Sequence, residues 1–180
     1  SADTIVLVNL TRTLLVDLWY LRVALGDTFQ DRVHLATDEA GISALLAKDA
    51  KQNPSVPQII AIQARDHALI QLCPIDLAIN IVSMQEMDPN VISEYFDDLR
   101  LSCRKSGLHL SFYCCNRDKK TLPDGTVVAF DDYPWVASDI KLVDGMCPWN
   151  NYYYSKEPLF YHSYDGPIKH RLSFLSKNKN

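Results

Sequence analysis

Apolar residues fall along this chain in short runs, separated by stretches with helical spacing. Ile5-Val6-Leu7-Val8 is a continuous, β-branched run and predicts a buried strand. Behind it Leu14, Leu15, Leu18, Leu21 and Leu25 share one helical face, with Thr11 placed to cap the helix and Gly26 to end it. Arg32 to Ala36 predicts a second short strand. Asp38 then caps a small helix that turns Ile42, Leu45 and Leu46 inward and stops at Lys51-Gln52-Asn53-Pro54. Gln58 to Ile62 and Asp76 to Val82 predict two further buried strands. The best-marked helix comes next. Asp88 caps it, and Pro89 takes the first helical position, where a missing N–H costs nothing. Ile92, Tyr95, Phe96, Leu99 and Cys103 form its apolar stripe, Arg104 and Lys105 suit the negative end of its dipole, and Gly107 closes it. Leu108 to Cys114 is a sixth apolar run and predicts a strand.

Buried strands alternating with helices predict an α/β fold whose sheet is mostly parallel, with helices on both faces. The last third changes character. Leu122-Pro123-Asp124-Gly125-Thr126 reads as a turn between two short strands, and Asp165-Gly166-Pro167 within Phe160 to Phe174 predicts a closing antiparallel hairpin. Between them, Asp132 to Trp149 is rich in Pro, Trp and Asp with weak periodicity. No repeat, low-complexity stretch or linker interrupts the chain, so residues 1–180 read as a single domain.

Composition narrows the function classes. A chain of 180 residues with 47% apolar and 22% charged residues has an ordinary globular balance. The net charge of −4 gives no general attraction to phosphate, so composition lends no support to a nucleic-acid partner. The basic cluster of Lys169, His170, Arg171, Lys177 and Lys179 reads as a solubilising tail. No charge-free run reaches the length of a membrane span, and Ser1-Ala2-Asp3 is not the start of a secretory signal. Five cysteines without C-x-x-C spacing point to reduced thiols and a cytoplasmic location. His162, Asp165 and His170 fit no tight metal motif, so no metal is expected. Phosphate-binding glycine loops and the G-x-S-x-G elbow are absent from the sequence.

Candidate chemistry collects after two of the strands. In open α/β sheets ligands bind beyond the carboxyl ends of strands. Ser83, Gln85 and Glu86 follow the strand that contains Asn80, where they either orient a substrate and take a proton or satisfy the backbone at the strand end. Asn116-Arg117-Asp118 follows the next strand; its Arg either clamps an anionic group or forms a surface ion pair. Trp135, Trp149, Tyr152, Tyr153, Tyr154, Tyr161 and Tyr164 crowd the last third, suited to a sugar ring, an interface or a core.

Taken in order, several of these segments resemble a bacterial family of sugar O-methyltransferases of the Rossmann-like, S-adenosylmethionine-dependent class. The segments are Ile5-Val6-Leu7-Val8-Asn9-Leu10 with Leu14-Leu15 and Trp19-Tyr20-Leu21, then Asp76 to Met87, then Phe112-Tyr113-Cys114-Cys115-Asn116-Arg117 with Leu122-Pro123-Asp124-Gly125-Thr126. Asp132-Tyr133-Pro134-Trp135, Cys147-Pro148-Trp149 and Tyr164-Asp165-Gly166-Pro167-Ile168 complete the set, which spans nearly the whole chain. The resemblance implies methyl transfer to a sugar or glycan-precursor hydroxyl, with Glu86 as the base. It implies Asn9, Asn80, Ser83 and Gln85 at the cofactor, and Asn116, Arg117, Asp132, Trp135 and Trp149 on the acceptor side. The family pattern has an acid where Asn9 stands, and its first strand and glycine-rich loop have no counterpart here. That strand would lie between Ile5–Leu10 and Asp76–Val82, so the resemblance implies a rearranged sheet, a homo-oligomer, or a missing N-terminal segment. A catalytically inactive interaction domain derived from such an enzyme is the alternative. A different register makes Ile5 to Leu10 the first strand and takes the acid from Thr37-Asp38-Glu39.

Overall fold

A computed structural model describes residues 4–49, 57–106, 109–150, 152–154, 161–163 and 166–176. The Lys51 to Pro54 stop signal, Gly107, Tyr164, Asp165 and the side chains of Cys103, His162 and Tyr152 to Tyr154 lie outside the described residues. The fold is α/β, and its contacts divide the chain into two compact units, Ser1–Pro74 and Ile75–Asn180.

In the first unit strand β1 (Thr4–Asn9) leads into helix α1 (Thr11–Leu25), the short helix α2 (Phe29–Arg32) and strand β2 (Val33–Ala36). Helix α3 (Glu39–Asp49), strand β3 (Gln58–Gln63) and a 3-10 segment (Ala64–Leu72) complete it. The three strands form a parallel sheet in the order β1-β3-β2. β3 takes the centre because its unbroken run Ile59 to Ile62 tolerates burial on both faces. Asp38 caps α3, its Oδ1 accepting the Gly41 N–H at 2.7 Å, and Ile42 is fully buried beneath it. Two expectations for α1 change. Thr11 is its first residue and not its cap: Leu10 holds the N-cap position, and the Thr11 hydroxyl turns to Gln63 Oε1 at 3.1 Å. The inward stripe is also narrower than five leucines, since Leu14 is buried and Leu15 faces solvent with Trp19 and Tyr20. Adjacent residues in a helix point about 100° apart, so Leu14 and Leu15 cannot share one shallow contact.

The second unit begins with strand β4 (Leu77–Ile81), a 3-10 turn (Met84–Glu86), helix α4 (Pro89–Ser106) and strand β5 (Leu110–Arg117). A hairpin of β6 (Lys119–Thr121) and β7 (Val127–Ala129) turns through Gly125, whose φ of +89° lies in the region that favours glycine. Strands β8 (Ile140–Met146), β9 (Tyr152–Tyr154), β10 (Tyr161–Ser163) and β11 (Ile168–Leu175) follow. The main sheet runs β4-β5-β11-β8, with β4 and β5 parallel and β11 antiparallel to both of its neighbours. The sheet of this unit is therefore mixed, unlike the parallel sheet of the first.

The closing hairpin predicted within Phe160 to Phe174 does not form. β10 pairs with β9, while β11 inserts between β5 and β8. A turn signal predicts a change of direction, not a partner, and the eight residues of β11 find longer ladders in the main sheet than the three of β10 offer.

One face of this sheet is well covered. Phe112, Cys114, Arg171 and Ser173 lie there in register, beneath α4 and the segment after β7. Phe96 of α4 packs edge-on to Phe112 at 5.4 Å and to Trp135 at 4.9 Å. Arg100, also on α4, makes two bonds of 2.7 and 2.8 Å to Asp139, and neither side chain exposes more than 3%. The other face carries Leu77, Ile79 and Ile81 of β4 in register with Ser111, Tyr113 and Cys115 of β5. Here the predicted burial of the Asp76 to Val82 run fails: the three apolar side chains of β4 are 56%, 62% and 54% exposed. Apolar alternation fixes a strand but not what covers it, and β4 lies at the edge of its sheet.

Candidate functional site

The parallel pair β4 and β5 ends at a common edge, where Asn80 stands opposite Cys114 and Ile81 opposite Cys115. The chain leaves β4 through Val82, whose N–H bonds to the Cys115 carbonyl at 2.8 Å and whose φ is +58°. A β-branched residue in the left-handed region is a rare conformation that costs on the order of 1–3 kcal/mol and survives only where its surroundings fix it.

A chain of amides provides that fixation. Asn116 at the end of β5 is fully buried and donates its amide to Asn80 Oδ1 at 3.0 Å and to Cys114 Sγ at 3.2 Å. Its own Oδ1 accepts the Gln85 N–H at 3.2 Å. Asn80 Oδ1 also accepts the Met84 N–H at 3.2 Å, and Asn80 Nδ2 donates to Ser83 Oγ at 2.6 Å. The side chain of Gln85, 2% exposed, accepts the Arg117 N–H on Oε1 at 2.7 Å and donates through Nε2 to Glu86 Oε1 at 3.1 Å. Each buried amide thus meets a partner, as burial requires. The arrangement stitches the turn after β4 to the end of β5.

Of the residues expected here, the structure brings together Asn80, Ser83, Gln85, Glu86, Asn116 and Arg117. Asn80, Gln85 and Asn116 spend their polar groups on one another and on the backbone, so they hold the turn in shape. Glu86 stands at the outside, half exposed, with Lys120 of β6 at 3.4 Å. The hydrogen bond from Gln85, with the charges of Lys120 and Arg117 behind it, holds its carboxyl below the usual carboxylate range. The group is ionised and exposed at neutral pH, so it can accept a proton, but the lowering makes it a weaker base than an unshifted carboxylate. Lys120 was not foreseen, because β6 approaches this turn only through the hairpin.

The aromatic candidates separate. Trp135 is half-buried among Phe96, Phe112 and Phe130, donates its indole N–H to the Phe130 carbonyl at 3.1 Å, and carries the Arg171 guanidinium 4.7 Å above its ring. That is the environment of a core residue. Asp132 is exposed and lines a small cleft against Pro89 and Ser93 at the start of α4. Trp149 is 71% exposed and stands edge-on to His170 at 5.3 Å. Tyr113 meets the same imidazole, hydroxyl to Nδ1, at 3.3 Å; burial, with Cys115 nearby, pushes its hydroxyl up to about 12, so it stays neutral. Trp149, His170 and Tyr113 form an aromatic ledge, of which sequence pattern supplied only Trp149.

In the first unit Asn9 closes β1. Its Oδ1 accepts the Leu10 N–H at 2.9 Å, and its Nδ2 donates to Asp17 Oδ2 at 2.9 Å. Asp17 lies on α1 and reaches back toward the helix start, as helical side chains do. A carboxylate therefore stands at the end of β1 although position 9 itself carries an amide. Such a pair fits the hydroxyls of a ribose: the carboxylate accepts, and the amide oxygen keeps a lone pair. The connection from β1 to α1 is the single residue Leu10, with no glycine-rich turn. Asp38, the acid of the alternative register, is occupied as the cap of α3.

Among the described residues no three His, Cys, Asp or Glu side chains gather as a metal site, and no helix is long and apolar enough to cross a membrane. Compared with known proteins, the chain matches no protein-family model and no curated protein sequence.

Proposed function

We propose that the chain transfers a methyl group from S-adenosylmethionine to a hydroxyl of a sugar or glycan precursor, in a reducing, cytoplasmic setting. The observation that carries this reading is the Asn80-Asn116-Gln85 stitch, which presents the ionised Glu86 at the carboxyl edge of two parallel strands. The ordered resemblance to sugar O-methyltransferases supports it, as does the strand pair followed by a C-terminal strand in antiparallel register.

Each residue then has a defined task. The cofactor, when bound, supplies an electrophilic methyl group. Asn9 and Asp17 hold a ribose by its two hydroxyls. Glu86 accepts the proton of the acceptor hydroxyl, and Gln85 fixes the carboxylate through its Nε2 bond. Trp149 offers its exposed face to the apolar side of a sugar ring, and the resemblance puts Arg117 on the same acceptor side. Asn80, Ser83 and Asn116 act as positioning residues for the turn.

The test is transfer of a labelled methyl group from S-adenosylmethionine to a panel of simple glycosides and sugar phosphates. The wild-type chain labels at least one of them, and Glu86→Gln lowers the rate by about 100-fold while leaving cofactor binding intact. Equal rates for the two proteins would remove Glu86 from the reaction. A second reading rests on the glycine-free β1–α1 connection: a domain of the same descent that has lost catalysis and binds a partner. It predicts no labelling and no cofactor binding.

A further inference from the structure

Beside the Trp149 ledge the sheet has a gap. Gly145 of β8 stands opposite His170 of β11, and His170 opposite Cys115 of β5, so all three address the face that carries Tyr113. A Cβ built on Gly145 would meet nothing within 4 Å, and its φ lies outside the left-handed region, so no turn calls for a glycine here. What this glycine provides is open space next to the imidazole, as a strand glycine does where a ligand approaches the backbone.

The groups around the space are held in place and partly unspent. The Tyr113 hydroxyl meets His170 Nδ1 at 3.3 Å. That leaves Nε2 as the free polar atom of the imidazole among the described residues, although His170 is only 7% exposed. The Trp149 indole stands at right angles to the same ring and bares one face. We propose that this shelf binds the acceptor and selects a neutral 6-deoxyhexose; the inference rests on the sugar-acceptor reading above and names its substrate class.

Trp149 covers the C–H face of the pyranose, and His170 Nε2 takes a ring hydroxyl, which can donate or accept. Val143 lies two residues from Gly145 on the same face, about 7 Å along β8, and is exposed. A pyranose over Gly145 therefore sets one substituent against Val143. Burying a methyl group there favours binding about fourfold. A carboxylate would lose water with no cation opposite it. The register rows through Tyr113 and His170 carry no Asp, Glu, Lys or Arg, and Arg117 stands one row further, opposite Ile168.

Saturation-transfer NMR of the full chain with methyl glycosides, without cofactor, tests this. Methyl 6-deoxyhexosides of the gluco, manno and galacto series are compared with their parent hexosides and hexuronides. At least one 6-deoxyhexoside should bind with a Kd of about 1 mM, about fourfold tighter than its parent, with the hexuronide weakest. Gly145→Val fills the space in a strand conformation that valine adopts freely, and Trp149→Ala removes the platform. Each should weaken binding at least about tenfold with an unchanged circular dichroism spectrum. Val143→Ser should keep the ring bound and erase the preference for the methyl group. No binding at about 20 mM glycoside, or folded Gly145→Val and Trp149→Ala that bind as wild type, overturns the site. A hexuronide that binds as well as its 6-deoxy counterpart overturns the selectivity. Sugar binding without methyl transfer contradicts the transfer reading alone, whereas transfer that Gly145→Val does not slow contradicts this site alone.

Discussion

The proposed chemistry turns on Glu86, and the turn that presents it rests on Val82. Because the Gln85 bond and the charges of Lys120 and Arg117 lower the Glu86 carboxyl, it loses its proton below the usual carboxylate range. Methyl transfer should therefore stay flat through neutral pH and fall only in acid below that range, as a pH–rate profile will show. In Lys120→Ala the acid limb should move upward. Val82 stores conformational strain at φ +58°, and Val82→Gly should raise stability by about 1 kcal/mol, read as the urea midpoint, by relieving it. A loss of stability would mean that the packing of the valine outweighs the strain. Asp139 is the opposite case. Burial alone would raise its carboxyl, but the Arg100 guanidinium and the N–H groups of Ser176 and Val136 outweigh this and hold it low. A carboxyl lowered by folding stabilises the protein above its unfolded value and loses that contribution as pH falls. Asp139→Asn strands a buried guanidinium and should cost about 3–5 kcal/mol, with a flatter acid limb in the stability profile.

The elements show what pattern can and cannot settle. α4 was legible in full at its start because local chemistry fixes it: Asp88 Oδ1 accepts the Asn90 N–H, and Ile92, Phe96 and Leu99 bury along one stripe. β1 to β5 were legible as strands from their apolar runs, and the Pro123-Asp124-Gly125 turn from its residues. Pairing was not. β11 pairs with residues of β5 more than 50 positions away and with residues of β8 more than 20 away, which a turn signal at Gly166 cannot encode. Side-chain roles divide in the same way. Position after a strand found Glu86, Gln85 and Asn116, but only the folded arrangement separates the exposed carboxylate from the buried amides that hold it. Asp17 escaped because its link to Asn9 crosses from a strand end to the second turn of a helix. Asp17→Asn should weaken binding of S-adenosylhomocysteine by about tenfold, a loss that titration calorimetry reads directly.

At the scale of the whole molecule, the chain divides into two units, the first with the Asn9–Asp17 pair and the second with the Glu86 turn and the Trp149 ledge. The central claim is that this chain holds S-adenosylmethionine without a glycine-rich turn after β1. Calorimetric titration of the purified chain with S-adenosylmethionine and S-adenosylhomocysteine tests it most directly. The account predicts binding near micromolar affinity, about −8 kcal/mol, with one cofactor per chain. No heat at high protein concentration, with the chain folded by circular dichroism, would contradict it.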